Sequence, residues 1–234
     1  PCATIPPMKL TDRGQMPSQE RYFQTRLPYD ARRAIVWREI CRYLERRFIP
    51  PDAAVLDVGA GYGEFINQVR ARDRHAVDLS NDLARYFGNQ VTLHVHSCTS
   101  MPSLADASFD VVFASNVLEH LTREEVVAAL AEVTRVLKPG GRLILIQPNF
   151  KYSVGAYFDD YTHVQIYTHV SLADLLAACG FDIVFVEGRF LPLTMKSRLP
   201  THPLLVRAYL ASPVKPLGAQ MLVVAKKPSA VGDR

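Results

Sequence analysis

The stretch VLDVGAGYGEF, residues 55–65, concentrates residue types that can do chemistry. Gly59, Gly61 and Gly63 let the chain turn sharply out of an apolar run and let a ligand approach the backbone closely. Dinucleotide enzymes use such a turn too, so the glycines alone do not choose the ligand. The charges beside them do. The dinucleotide fingerprint wants its third glycine at position 64, where this chain has Glu64, and Asp57 stands two residues before the first glycine. Carboxylates there repel a pyrophosphate and suit a ligand with cationic groups, such as the ammonium and sulfonium of S-adenosylmethionine. Asp78, closing the run AVDLS, can accept from both ribose hydroxyls of an adenosine, which fits either kind of cofactor.

These residues need a scaffold that brings strand ends together, and the sequence predicts one. AAVLDV, HAVDLS, VTLHVH, FDVVFAS and RLILIQP read as strands, with FDIVFVE and QMLVVAKK as two more. Between them lie helical stretches: Asp30 to Phe48, EFINQVRA, NDLARYF, and LTREEVVAALAEVTRVLK, the last stopping at Pro139-Gly140-Gly141. Thr122 with Glu125 forms a capping box for that long helix. Ser171 with Asp174 repeats the device before Leu172, Leu175 and Leu176, and Gly180 marks the stop. Strands alternating with helices predict an α/β fold with a mostly parallel sheet and helices on both faces.

Composition sets the bounds. A chain of 234 residues with 48% hydrophobic and 21% charged residues builds a full core without disulfides and is not disordered. No apolar run is long enough for a spanning helix, and the first residues lack a secretion-signal layout. Cys2, Cys41, Cys98 and Cys179 lie far apart, which suits reduced cytoplasmic thiols rather than a disulfide frame or zinc site. The net charge of +4 is uneven: residues 1–50 carry +5, 51–187 carry −8, 188–218 carry +5 and 219–234 carry +2. Basic flanks around an acidic centre point to two tasks on one fold.

Taken in order, VLDVGAGYGEF, VDLS, MPSLADASFDVVFASNVLEHL and LKPGGRLILIQPN resemble the motifs of class I S-adenosylmethionine-dependent methyltransferases, over roughly residues 52–150. The resemblance implies a Rossmann-like sheet of seven strands with an antiparallel last strand and the cofactor across the C-terminal strand ends. It implies that Gly59, Ala60 and Gly61 line the methionine part, that Asp78 holds the ribose with Leu79 against the adenine, and that Asn116 and Glu119 lie near the methyl group. Asp57 joins this set by its charge. Many relatives place an Asp at the end of the third strand for the adenine amino group; here the stretch is HSCTSMP, so Ser97 or Cys98 takes that place and Met101 replaces a Leu. Residues 1–29 then read as an arm or lid, 30–228 as the methyltransferase domain and 229–234 as a tail. The basic segment 188–218, with five prolines and no clear period, reads as an acceptor-side insertion.

Beyond residue 149 the chain resembles a bacterial subgroup associated with glycan and cell-envelope biosynthesis. That implies a small-molecule or glycan acceptor, and the basic flanks make it an anionic one: a sugar nucleotide, phosphorylated sugar or glycolipid, most simply O-methylated. Methyl transfer is a direct displacement, so the enzyme mainly aligns acceptor, carbon and sulfur. A hydroxyl or amine must also lose a proton, and His163 is the preferred base, with Asp160 beside it, Tyr157 as a wall and His120 shaping the substrate. His169 is placed at a helix entrance. Arg189, Lys196 and Arg198 would meet phosphate or carboxylate. Asp159, Asp160 and His163 have a spacing that magnesium could use, but adjacent loop carboxylates are more often solvated or paired with Arg, and no metal is expected. RNA methylation is the alternative enzyme reading, disfavoured because no nucleic-acid-binding module and no Asn-Pro-Pro-aromatic motif are present; a non-catalytic binding protein is the other. Phe190, Leu191, Leu193, Leu204, Leu205 and Tyr209 offer a peripheral membrane-surface contact, with the prolines breaking any long amphipathic helix.

Overall fold

A computed structural model describes residues 28–193 and 202–229. The chain groups into two units, Pro1–Asp30 and Ala31–Arg234. Almost all of the first lies outside the described residues. The second is built on a sheet of seven strands in the order β3-β2-β1-β4-β5-β7-β6. They are β1 (Ala54–Val58), β2 (Asp73–Asp78), β3 (Val91–Val95), β4 (Phe109–Ser115), β5 (Leu137–Pro148), β6 (Asp182–Leu191) and β7 (Gln220–Lys226). The first five run parallel; β7 inserts antiparallel between β5 and β6. This is the Rossmann-like sheet that the motif order implies.

The central strands are apolar on both faces because helices cover both. On one face Leu56, Val112, Leu143 and Leu145 pack against helix α2 (Arg123–Val136) and helix α4 (His169–Ala178) through Val126, Leu130, Leu172 and Leu176. On the other, Val55, Val111, Phe113 and Ile144 meet helix α1 (Arg33–Glu45) through Trp37, Ile40 and Leu44. Alternate residues of each strand thus serve opposite layers. Phe65 stacks on Phe113 with centroids 3.8 Å apart, fixing the chain after the glycine turn onto β4.

Several sequence expectations need correction at their edges. The stretch after Gly63 is a run of hydrogen-bonded turns, with Asn67 N–H to Gly63 O at 2.9 Å and Val69 N–H to Phe65 O at 3.0 Å, rather than a regular helix. Helix α2 ends at Val136, before the Pro-Gly-Gly stop, because Lys138 precedes a proline and is biased away from helix, so Leu137 already pairs with Phe109. The cap of α4 is Thr168, whose hydroxyl and that of Ser171 satisfy each other's backbone N–H in a capping box; Ser171 is the third helical residue. The capping box of Thr122 and Glu125 stands where the spacing predicts it. The segment after β6 is not structureless: Pro203–Ala211 forms helix α5 within it, capped by His202. Earlier in the chain, Phe150–Ser153 forms the short helix α3 directly after β5. No helix among the described residues is long and apolar enough to cross a membrane.

Candidate active site

The glycine turn leaves β1 at its C-terminal end. Gly59, Gly61 and Gly63 have φ of 68°, 52° and 69°, a left-handed backbone that glycine adopts without cost. Gly59 and Ala60 donate to Val77 O on β2 at 2.8 and 3.2 Å, and Gly61 donates to Asp78 Oδ2 at 2.9 Å. The other oxygen of Asp78 accepts from Ser80 N–H at 3.3 Å. Asp78 therefore shapes the turn from the C-terminal end of β2. Leu79 next to it is 64% exposed, an apolar surface on which a flat ring can rest.

Asp57 is buried beneath this turn. Desolvation, helped by the neighbouring Asp78, pushes its carboxyl well above the usual carboxylate range. A cationic group nearby would relieve that cost. Glu64 is held by Arg33, whose Nε lies 2.8 Å from its carboxylate, and it is the least of the charges that raise Asp57.

At the end of β3, Ser97 Oγ bonds Thr99 Oγ1 at 2.7 Å, and Cys98 is packed against the core, its thiol pushed up to about 11 by burial. Met101 is fully buried among core residues, so its side chain packs the interior. At the end of β4, Asn116 has φ of 54° and donates to Ile146 O at 2.9 Å; its side chain is exposed. A Cβ on Gly59 would lie 2.5 Å from Val117 Cγ2. The glycine turn and the loop after β4 are therefore in direct contact, and that loop carries Glu119 and His120.

Glu119 lies in the one-turn 3₁₀ helix Leu118–His120 and is 1% exposed. Its backbone carbonyl accepts from Val164 N–H at 2.8 Å and Gln165 N–H at 3.1 Å, which stitches the loop bearing His163 to it. Neither carboxylate oxygen of Glu119 has a hydrogen-bond partner among the described residues. Burial raises its pKa to about 8, with Asp160 adding to the effect. His120 and His163 lie edge to face with centroids 4.9 Å apart, and His163 leans on Tyr157 at 4.7 Å. Tyr157 is fully buried and donates to Gln165 O at 2.5 Å; it backs His163 and does not open onto an acceptor. Asp160 accepts from the Thr162 hydroxyl at 2.6 Å, and that oxygen lies 2.9 Å from His120 Nδ1. Burial lowers the pKa of His120, and the neighbouring His163 lowers it further. His169 opens α4 and bonds Asn149.

Of the three cations assigned to the acceptor, Arg189 is engaged within the chain. Arg189 Nη1 donates to Pro216 O at 2.9 Å, and its guanidinium lies 3.8 Å over the Tyr152 ring. Arg207 binds the buried Glu39 on α1 at 2.5 Å, and Lys215 is buried against Glu187. Lys196 and Arg198 lie outside the described residues. The apolar set expected at a membrane surface is divided likewise: Phe190 and Leu191 are core, while Leu204 and Leu205 on α5 are 63% and 53% exposed. Sequence reading missed Gln147, which ends the apolar run of β5 fully buried with neither amide atom hydrogen-bonded among the described residues. A polar residue closing RLILIQP was the available signal.

Residues 56–145 match the family described as a methyltransferase domain. That segment carries a methyltransferase domain, on a seven-stranded sheet of the class I kind. It is 35% identical over 112 residues to dimethylglycine N-methyltransferase of Parasynechococcus marenigrum, covering 43% of this chain and 39% of that protein. It is 30% identical over 164 residues to malonyl-[acyl-carrier protein] O-methyltransferase of Methylococcus capsulatus, covering 62% and 58%. The chain thus spans well under two thirds of either relative's length. A SAM-dependent methyltransferase structure from Archaeoglobus fulgidus superposes with a TM-score of 0.60 at 24% identity, covering 81% of this chain and 94% of that one. S-adenosylmethionine is the cofactor of this domain, and the chemistry present suits it: glycine backbone open to a ligand, a carboxylate at the end of β2, an exposed leucine beside it, and a buried acid beneath the turn.

Proposed function

We propose that the protein transfers the methyl group of S-adenosylmethionine to a small-molecule acceptor, with a hydroxyl as the methyl-accepting group. When bound, the cofactor supplies a carbon already activated by its sulfonium, so the chain's own residues orient, exclude water and handle a proton. Gly59, Ala60 and Gly61 line the methionine end, Asp78 and Leu79 the adenosine, with Ser97 and Cys98 at the adenine edge and Asn116 toward the methyl. The observation that carries the reading is the contact of the glycine turn with Val117. It supports a cofactor turn adjacent to the loop of Glu119 and His120, with His163 against His120 as the group assigned to activate the acceptor.

The domain is taken as residues 30–228, with 1–29 as an arm, 188–218 on the acceptor side and 229–234 as a tail. One of the two relatives is an N-methyltransferase and the other an O-methyltransferase, so relatedness does not choose the accepting atom. The choice of oxygen rests on the proton-handling side chains His120 and His163. With Arg189, Arg207 and Lys215 bound within the chain, an anionic glycan acceptor relies on Lys196 and Arg198. Calorimetric titration with S-adenosylmethionine tests the first step, and folded protein that takes up no cofactor refutes it. A mass-shift screen of sugar nucleotides, phosphorylated glycolipids and uncharged hydroxyl compounds then identifies the acceptor.

A further inference from the structure

We propose that Glu119, His120 and His163 bind a divalent first-row transition cation, zinc in the simplest case. The ligand atoms of these three side chains all lie within 4.8 Å of one another, the one such grouping found among the described residues. A cation with bonds of about 2.0–2.2 Å needs its donors somewhat closer than that, which small side-chain rotations supply. Two imidazoles and a carboxylate suit zinc or iron(II), whereas magnesium prefers oxygen.

Three further observations point to a cation. The Glu119 carboxylate is 1% exposed with neither oxygen hydrogen-bonded among the described residues, an arrangement that is costly unless a positive partner arrives. His120 Nδ1 lies 3.3 Å from Thr162 O, which can only accept, so Nδ1 carries the proton and Nε2 presents a lone pair. That Nε2 is 3.9 Å from Glu119 Oε1. The Thr162 hydroxyl donates to Asp160 and accepts from His120, an acid–hydroxyl–imidazole chain of the kind that fixes the orientation of metal-bound histidines. Asp160, a candidate ligand beside His163 on spacing alone, stands one step behind the site.

The cation's role rests on the methyl-transfer reading; its binding does not. Three protein ligands leave a position for an acceptor hydroxyl. Coordination acidifies that hydroxyl, its proton leaves to water, the oxygen takes the methyl carbon, and the carbon–sulfur bond electrons stay on sulfur as a neutral thioether. His163 then activates the acceptor through the cation.

The test uses the full chain after chelator treatment. Equilibrium dialysis against Zn²⁺ with metal analysis is expected to find one tightly held ion per chain, and Co²⁺ to give a visible ligand-field spectrum. Glu119→Gln and His163→Asn lose both signals, and Thr162→Val weakens binding by about 10–100-fold. His94→Asn, which alters the separate His75–His94 pair, leaves binding intact. Zn²⁺ raises the melting temperature of the parent protein, while metal-free Glu119→Gln melts above the metal-free parent and gains nothing from Zn²⁺. Absence of tight zinc, or binding that survives Glu119→Gln and vanishes in His94→Asn, overturns the site. S-adenosylmethionine calorimetry on the same samples separates the two readings: cofactor binding without zinc overturns the metal site alone, and zinc binding without cofactor overturns methyl transfer alone.

Discussion

Replacing Gly59 by alanine strikes the joint between the two halves of the site. The residue has φ of 68°, where an L side chain costs about 1–2 kcal/mol. Its new Cβ would come within 2.5 Å of Val117 Cγ2, an overlap that forces movement and adds about 1–3 kcal/mol of overpacking. Gly59→Ala is therefore expected to lose about 2–5 kcal/mol, and each kcal/mol lowers the melting temperature by about 2–4 °C in a domain of this size. The two contributions separate in a double-mutant cycle. Val117→Ala removes the overlap but not the backbone cost, so the double variant melts above Gly59→Ala alone even though Val117→Ala is itself destabilising. Thermal unfolding reads the stability, and calorimetry with S-adenosylmethionine reads the displacement of the Val117 loop from the turn. A Gly59→Ala protein that melts within about 2 °C of the parent and binds the cofactor equally well would refute the contact between turn and loop.

Three further outcomes are expected. Arg207, then Arg42, holds the buried Glu39 below its ordinary value of 4.5, so the stability it contributes is present at neutral pH and lost as pH falls through its folded-state value; acid unfolding of Glu39→Gln should be flatter across that range, and equal slopes would contradict the pairing. Asp57 is shifted the opposite way, so its burial costs stability as pH rises above the ordinary carboxylate value of 3.8; Asp57→Asn should raise the melting temperature of cofactor-free protein at pH 7 while weakening cofactor binding, and a fall in both would contradict the assignment. Thr122→Ala removes the cap of α2 and should cost about 1 kcal/mol by denaturant unfolding without changing cofactor affinity.

The strands could be read from sequence because β1, β4 and β5 are buried on both faces, which demands unbroken apolar runs that no loop imitates. The cap at Thr122 was legible because its partner is three residues away. The cap at Thr168 was misplaced because Thr168 and Ser171 are both good caps, and only the backbone shows which one opens the helix. Charge was the least legible property. Glu64 beside the glycines is paired with Arg33, and Arg207 and Lys215, counted only within the basic segment 188–218, are paired with Glu39 and Glu187. Those pairings join distant elements, so linear charge counts cannot contain them. Glu119 meets His163 for a similar reason: two backbone bonds to the Glu119 carbonyl bring in a loop whose path no periodicity encodes.

Two buried acids outside these pairings carry raised pKa values and are the informative ones. Asp57 and Glu119 flank the Gly59–Val117 contact, both almost fully buried and both with raised pKa values. Burial imposes on each of them a penalty in the free protein that packing alone could have avoided with an apolar side chain. A fold that keeps such a cost at its functional site gains from it only when a ligand of opposite charge relieves it, and the relief then adds to that ligand's affinity. Asp57 suits the sulfonium and ammonium of the cofactor; Glu119 suits the cation held with His120 and His163. Each ligand then stabilises the protein by an amount set by its own saturation, about 2.7 kcal/mol at one hundred times its dissociation constant. Because Val117 touches the glycine turn and lies two residues from Glu119, a ligand at one is expected to restrain the other. Cofactor and cation should therefore each tighten the binding of the other, by one common factor whichever is added first.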